Sequence, residues 1–178
     1  VSSVSVIYLN IQVMKSILCV IHLAQSSVKA LEVAVSMALA YKTHLTILFP
    51  YRLIDADHNG NAGKLKATLE REAREKFAML KKQVPSLDLL PYDFQPEIGF
   101  SYDRINAYVK RNKVHTIVIS QRHANTIDEI NPMALQNLIV NWKLPFMIVP
   151  QVDVGYSPVS PFPLYLTNED VKTSLNAK

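Results

Sequence analysis

Short apolar runs alternate with longer amphipathic segments over most of the chain, from about Lys15 to Pro150. Unbroken apolar runs predict strands covered on both faces, whereas apolar positions that recur every three or four residues predict helices packed through one face. The runs that predict strands are 17–21, 44–49, 87–94, 116–120 and 146–149. The segments that predict helices are one that begins at Ser26–Ser27 and those at 64–83, 101–112 and 132–142.

Serine and proline positions indicate where these elements begin and end. Ser26 and Ser27 offer N-cap hydroxyls to the first helix, and Pro50 should close the second strand. Pro91 predicts an edge position or a bulge for the third strand, because proline cannot donate a hydrogen bond to a sheet. Pro132 should open the last helix.

The resulting order, β-α-β-α-β-α-β-α-β, predicts an α/β fold. Such alternation favours a parallel sheet with helices on both faces and right-handed crossovers. We assign residues 15–150 to this domain. Residues 1–14 form an N-terminal extension, which is either an added strand or sequence upstream of a start at Met14. Residues 151–178, rich in Pro, Ser and Asn, form a C-terminal extension that is either a tail or an arm laid across a partner.

Composition and charge exclude several classes of protein. Apolar residues make up 49% and charged residues 19%, which supports a full core and excludes a mainly disordered chain. The net charge of +4 is mild and the charges of 64–83 are interleaved, so we expect no nucleic-acid partner. No uncharged apolar run approaches the roughly 18 residues of a membrane helix, so we expect no membrane partner. Cys19 is the one cysteine, which excludes an internal disulfide and indicates a reducing, cytoplasmic setting.

Four stretches follow the order and spacing of one known family. They are 16–21 with Ser27 and Ala30-Leu31, Glu97-Ile-Gly99, His115–Ser120 and Leu144–Val149. Through these stretches the chain resembles the universal stress protein family over about residues 15–150. The resemblance implies an open, doubly wound sheet of five parallel strands in the order 3-2-1-4-5. It also implies a homodimer formed through the last strand, with Phe146 and Ile148 in the dimer seam.

The chain departs from the family at the positions that bind nucleotide. Nucleotide-binding members carry an acidic residue after strand one, and after strand four the set Gly, two residues, Gly, nine residues, Gly, then Ser or Thr. Glycine lets backbone N–H groups approach a phosphate closely, and a following helix N-terminus favours the anion. The acidic position is here His22, the glycine positions are Ser120, His123 and Pro132 or Met133, and the hydroxyl position is Met133 or Ala134. We therefore expect no bound ATP of the family type and no other cofactor.

Polar residues follow the strands whose ends should meet at one crevice. In open parallel sheets, ligands bind beyond the carboxyl ends of the strands where the strand order reverses, which is between strands one and four in the family's order. Imidazoles ligate metals and arginine holds phosphate or carboxylate, so a ligand site here competes with the alternative of ordinary polar residues at a sheet edge. The candidate residues are His22 after strand one, Ser120, Gln121, Arg122 and His123 after strand four, and Asp55, Asp57 and His58 after strand two.

Three functions are consistent with these features. The first is a non-catalytic, universal-stress-protein-like regulator that acts as a homodimeric interaction module with an unidentified protein partner. The second is a nucleotide-binding stress protein with a non-standard phosphate loop. The third is a small-ligand or metal sensor that uses His22 and His123. Because no GxGxxG, Walker, HExxH, CxxC or GxSxG pattern occurs, we assign no catalytic residue and no metal ligand, and the missing glycines favour the first function.

Overall fold

A computed structural model describes residues 16–52, 62–150 and 164–166 of the 178-residue chain. The strands are β1 Ser16–Val20, β2 Leu45–Tyr51, β3 Tyr92–Ile98, β4 Val114–Ser120, β5 Phe146–Val149 and β6 Leu164–Leu166. The helices are α1 Val28–Tyr41, α2 Ala62–Lys81, α3 Ser101–Arg111, α4 Gln121–Ile130 and α5 Ala134–Trp142. Short 3₁₀ turns lie at Gln25–Ser27 and Pro85–Leu89.

The strands form one sheet in the order β3-β2-β1-β4-β5-β6. Its first five strands are mutually parallel, so the predicted five-stranded parallel sheet in the order 3-2-1-4-5 is confirmed. β6 is an addition to that expectation, and it pairs with β5 in the antiparallel sense. The proposed N-terminal extension and the rest of the C-terminal extension lie outside the described residues.

Two apolar clusters cover the two faces of the sheet. On one face Ile17 and Cys19 of β1 pack with α1, α2 and the Pro85–Leu89 turn, and on the other Leu18 and Val20 pack with α3, α4 and α5. Every residue of β1 from Ile17 to Val20 is fully buried, as expected for the central strand of a doubly wound sheet. Burial of each large aliphatic side chain stabilises the fold by about 1.5–3 kcal/mol. The ends of β1 and β4 are therefore held rigidly side by side.

Prolines affect the strands differently from the expectation. β2 does not end at Pro50 but continues to Tyr51. β1 pairs with β2 only as far as Leu48, so from Phe49 to Tyr51 β2 pairs with β3 alone within the described sheet. The third strand begins at Tyr92 rather than residue 87, since the residues that start at Pro85 turn into a 3₁₀ helix. β3 lies at the edge of the sheet, which is the position that Pro91 predicted.

Two helix predictions were wrong in detail. Neither serine caps α1 through its side chain, because the Ser27 hydroxyl instead accepts a hydrogen bond from the backbone N–H of His22 at 3.1 Å. Pro132 does not open the last helix, which begins at Ala134. A separate helix, α4, occupies residues 121–130, to which the sequence analysis assigned no helix. No helix in the described part of the chain is long and apolar enough to cross a membrane.

Candidate functional site

The end of β1 and the start of α4 form the centre of the candidate site. β1 and β4 are parallel neighbours, with Val20 opposite Ile119, so the residues that follow them meet at one edge of the sheet. Ile21 separates His22 from the end of β1 at Val20. Gln121, Arg122 and His123 lie in the first turn of α4 rather than in a loop, because Ser120 acts as the N-cap and accepts a hydrogen bond from the backbone N–H of His123 at 3.3 Å.

The structure brings His22 and His123 together. Their imidazole rings stack with centroids 3.9 Å apart and planes inclined by 28°. His123 is 2% exposed, and its Nε2 lies 2.9 Å from the hydroxyl of Ser101, the first residue of α3. The sequence analysis missed Ser101, although it follows β3 and Gly99 at the same edge of the sheet.

The other predicted residues do not form hydrogen bonds with the two imidazole rings. The Gln121 side-chain amide donates to Asn125 one turn along α4, and Ser120 caps its own helix. Arg122 is exposed and acts on His22 through its charge. Asp55, Asp57 and His58 lie outside the described residues. The compact part of the site is therefore His22, His123 and Ser101.

Both imidazoles are neutral at neutral pH. Burial lowers the pKa of His123 to about 3, with a smaller contribution from His22. Burial also lowers the pKa of His22, and the positive charge of Arg122 lowers it further. Because neither ring carries a charge at pH 7, the pair offers no electrostatic attraction to an anion under those conditions. The Nδ1 atoms of both rings are buried and have no hydrogen-bond partner among the described residues.

The ring geometry does not suit one shared metal ion. Nitrogen lone pairs lie in the ring planes, so the lone pairs of two stacked rings do not point at one common position, whereas a zinc ion sits about 2 Å from each ligating nitrogen along its lone pair. No group of three or more His, Cys, Asp or Glu residues that could hold a metal ion occurs within the described ranges. A metal would need the stacked pair to separate first.

The stretch that follows β4 lacks the glycines that the family resemblance implies for a phosphate site, because Ser120 and His123 stand at two of their positions. Helix α4 begins at Gln121, immediately after the last residue of β4, so no extended glycine loop leaves the sheet here. Met133, one of the two candidates for the third glycine position, has a φ of 64°, a left-handed backbone that glycine adopts at least cost.

A cavity of about 330 Å³ lies beside His22 at the ends of β1 and β2. Phe49 and Tyr51 of β2 line it together with Arg52, while α2 contributes Lys76 and Glu72. Burial raises the pKa of Tyr51, and the nearby Glu70 carboxylate raises it further. The sequence analysis missed this cavity, because only the continuation of β2 through Pro50 brings Tyr51 to it. Its walls carry charges of both signs.

The predicted dimer seam is covered within one chain. Phe146 is fully buried and Ile148 is 9% exposed. The outer edge of β5, where these residues lie, is paired with β6. The seam stays a prediction, and it requires either exchange or displacement of β6.

Comparison with known proteins was made by sequence and by structure. No protein-family model matches the sequence, and no curated protein is significantly similar to it. Solved structures are similar: a universal stress protein in complex with cAMP (TM-score 0.54, 18% identity) covers 76% of this chain and 97% of its own. Universal stress protein UspA from Lactobacillus plantarum (TM-score 0.55, 16% identity) covers 78% and 98%. A universal stress family protein from Burkholderia pseudomallei (TM-score 0.54, 14% identity) covers 79% and 98%. The chain therefore has the fold of the universal stress protein family.

Proposed function

We propose that this chain is a non-catalytic, universal-stress-protein-like regulator of a stress response. It works as a homodimer that contacts a protein partner, and it does so without bound ATP. The observation that carries the proposal is the start of helix α4 at Gln121, directly after β4, where nucleotide-binding members have a glycine loop. A chain with this fold but without that loop retains its surfaces for protein contacts.

Without the glycines, the backbone that follows β4 cannot bind a phosphate in the way that a glycine loop does. Several backbone N–H groups must converge on the anion, and side chains at those positions keep the backbone away from it. Ser120 and His123 replace two of the glycines, and the Ser120 hydroxyl already occupies the backbone N–H of His123. The third glycine position is Pro132 or Met133, and Pro132 has no backbone N–H to donate to a phosphate.

The chemistry at the crevice also supports a role without nucleotide. The family's acidic position is His22, which stacks on the buried His123 and is uncharged at neutral pH. In the adjoining cavity Glu72 stands with Arg52 and Lys76, so the positive charge that would attract a triphosphate is partly cancelled. The buried Cys19 thiol fits a reducing compartment, and we propose the cytoplasm as the location.

Titration with nucleotides tests the proposal. We expect neither Mg-ATP nor cAMP, each raised to millimolar concentration, to shift the melting temperature or to produce saturable heat in calorimetry. A ligand at 100 times its Kd would stabilise the fold by about 2.7 kcal/mol, which no thermal-shift measurement would miss. The universal stress protein solved with cAMP is the positive control. A micromolar Kd for ATP in this chain would contradict the proposal.

The cavity beside His22 favours a second candidate function, the binding of a small aromatic ligand. Phe49 and Tyr51 supply stacking surfaces, and the buried Nδ1 atom of His22 has no hydrogen-bond partner within the part of the chain that the structure describes. Native mass spectrometry of protein purified from cells would reveal a retained ligand as added mass. This function predicts that His22→Leu loses the added mass whereas the exposed His115→Leu keeps it. Protein without added mass would contradict this second function. If the same protein were also a dimer, only the first proposal would remain.

A further inference from the structure

A second cavity, of about 230 Å³, lies between the start of α3 and the end of α4. Its apolar wall is formed by Phe100, Tyr102, Ile127 and Ile130. Phe100 is 45% exposed and Ile130 is 52% exposed, so two large apolar side chains of this wall are left uncovered by the described part of the chain. Pockets for drug-sized ligands measure roughly 300–1,000 Å³, so this smaller cavity suits a ligand with a single ring.

Four polar residues also line the cavity, and two of them already have partners. The Ser101 hydroxyl is hydrogen-bonded with Nε2 of His123 at 2.9 Å, and the Thr126 hydroxyl donates to a backbone carbonyl one turn earlier in α4 at 3.0 Å. The side chains of Asp103 and Asn131 form no hydrogen bond or ion pair with any described residue. These two side chains are therefore the polar groups that the cavity can offer to a ligand.

Among the described residues that line this cavity, Asp103 alone carries a charge. The next residue of α3, Arg104, reaches Glu97 instead, with Nη1 4.0 Å from its carboxylate. Arg52 lines the cavity at the ends of β1 and β2 and not this one. The cavity thus combines an apolar wall with one negative charge that has no counter-charge in the described part of the chain.

This combination disfavours three kinds of ligand. An anion would be repelled by the Asp103 carboxylate. A neutral apolar molecule would remove water from that carboxylate without supplying a partner for its charge, which is costly. A divalent metal ion needs about six oxygen ligands, whereas the cavity offers one carboxylate and one amide beside apolar side chains.

An amine that carries a positive charge meets the same requirements. Its N–H groups can donate to the Asp103 carboxylate and to the side-chain oxygen of Asn131, and a hydrogen bond between two charged groups is stronger than one between neutral groups. The rings of Phe100 and Tyr102 favour both a cation and an aromatic ring beside them. An aromatic ring on the amine would cover the apolar wall that is now exposed.

We propose that the cavity between α3 and α4 binds a small primary amine that bears one aromatic ring and is positively charged at neutral pH. The ammonium group contacts Asp103 and Asn131, and the ring packs against Phe100, Tyr102 and Ile127. The site goes beyond the proposed function and does not depend on it. Helices α3 and α4 pack on the opposite face of the sheet from α2, which lines the cavity beside His22.

Calorimetric titration of the full-length protein with phenethylamine tests the site. We expect saturable binding at pH 7 with a Kd below about 1 mM. Phenethyl alcohol has the same shape without the charge and should bind at least about tenfold more weakly, because it forms no charge-assisted hydrogen bond. Phenylacetate, an anion, should not bind. Absence of saturable phenethylamine binding, or equally strong binding of the alcohol, would overturn the proposal.

Two variants that each remove one negative charge locate the bound amine. Asp103→Asn keeps the shape of the side chain and should weaken phenethylamine binding at least about tenfold. Glu72→Gln removes the same charge from the cavity beside His22 and should leave the Kd unchanged. Weaker binding in Asp103→Asn alone supports the site, and any other pattern overturns it. Neither outcome bears on nucleotide binding, so the proposed function is tested separately.

A third variant blocks the cavity from an exposed position. Ile130→Arg places a guanidinium in the wall, where it would pair with Asp103 and exclude the amine. Val140→Arg adds the same charge at a residue of α5 that is 44% exposed, and it should bind phenethylamine as the natural chain does. Equal binding by the two variants would contradict the site. If a variant does not fold, as judged from its melting curve, the three ligands on the natural chain decide.

Discussion

His123 links the protonation of one residue to the stability of the whole fold. Its folded-state pKa is lowered to about 3, so below the unfolded-state value of 6.5 the unfolded chain binds a proton that the folded chain does not. The free energy of unfolding should be highest above pH 6.5. From pH 6.5 down to about 3, this residue should cost about 1.4 kcal/mol per pH unit. Urea melts at a series of pH values measure that slope.

A matched pair of variants isolates His123 from other groups that titrate in acid. His123→Gln keeps a polar side chain near Ser101 but cannot take up the proton, so its slope between pH 6 and 4 should be shallower than that of the natural chain. His115→Gln alters an exposed residue and should leave the slope unchanged. Equal slopes for His123→Gln and the natural chain would contradict the burial of a neutral imidazole.

The sequence predicted some of the neighbours at the site and missed others for a definite reason. The approach of His22 to His123 follows from strand order alone, since β1 and β4 end at the same edge. The hydrogen bond between Ser101 and His123 depends on how α3 and α4 are oriented over that edge. Orientation of that kind leaves no periodic signal in the sequence, and so only the structure reveals the bond.

At the scale of the helix, the residue that ends α1 has a strained backbone conformation, and a substitution can relieve that strain. Lys42 adopts φ 50° and ψ 48°, and its backbone N–H donates to the carbonyls of Ala38 and Leu39. A left-handed backbone costs a residue with a side chain about 1–2 kcal/mol, and glycine escapes that cost at the expense of greater unfolded-state entropy. Lys42→Gly should therefore raise the free energy of unfolding by about 0.5–1 kcal/mol, measured by urea denaturation.

The same substitution inside a helix should act in the opposite direction. Lys76 is exposed in α2, where the backbone is right-handed, so Lys76→Gly should lower the free energy of unfolding by about 1 kcal/mol. If both variants lost stability equally, the left-handed cap of α1 would be excluded.

Helix α4 shows why one element escaped prediction. Its apolar residues are Ala124, Ile127 and the exposed Ile130, and the other seven residues of the helix are polar, so the apolar pattern is weak. The family resemblance implies a phosphate-binding stretch after strand four, and in that context Ser120 is a candidate ligand contact and not an N-cap. The helix forms because Ser120 satisfies its first turn and α5 packs against it.

At the scale of the molecule, strand order was predictable but the final strand was not. Alternating strands and helices constrain a parallel sheet to few topologies, and the order from β3 to β5 is among them. β6 has only three residues, too few for a period-two pattern to indicate a strand. Its place is determined by the free edge of β5, a property of the assembled sheet.

Cys19 lies in the middle of the central strand and can report on the opening of the whole molecule. Its thiol is fully buried beneath α1, and burial raises its pKa far above the ordinary range, so reaction requires α1 and β1 to separate. Because β1 pairs with both β2 and β4, that opening is close to global unfolding. We expect a thiol reagent to label Cys19 at least about a thousandfold more slowly in the native protein than in denaturant, as a stability of about 5 kcal/mol requires. Ser36→Cys adds a thiol on the exposed face of α1 and should be labelled at once in the native protein. Labelling of Cys19 as fast as that of the added thiol would show that the sheet opens locally at β1 and would contradict a single rigid core.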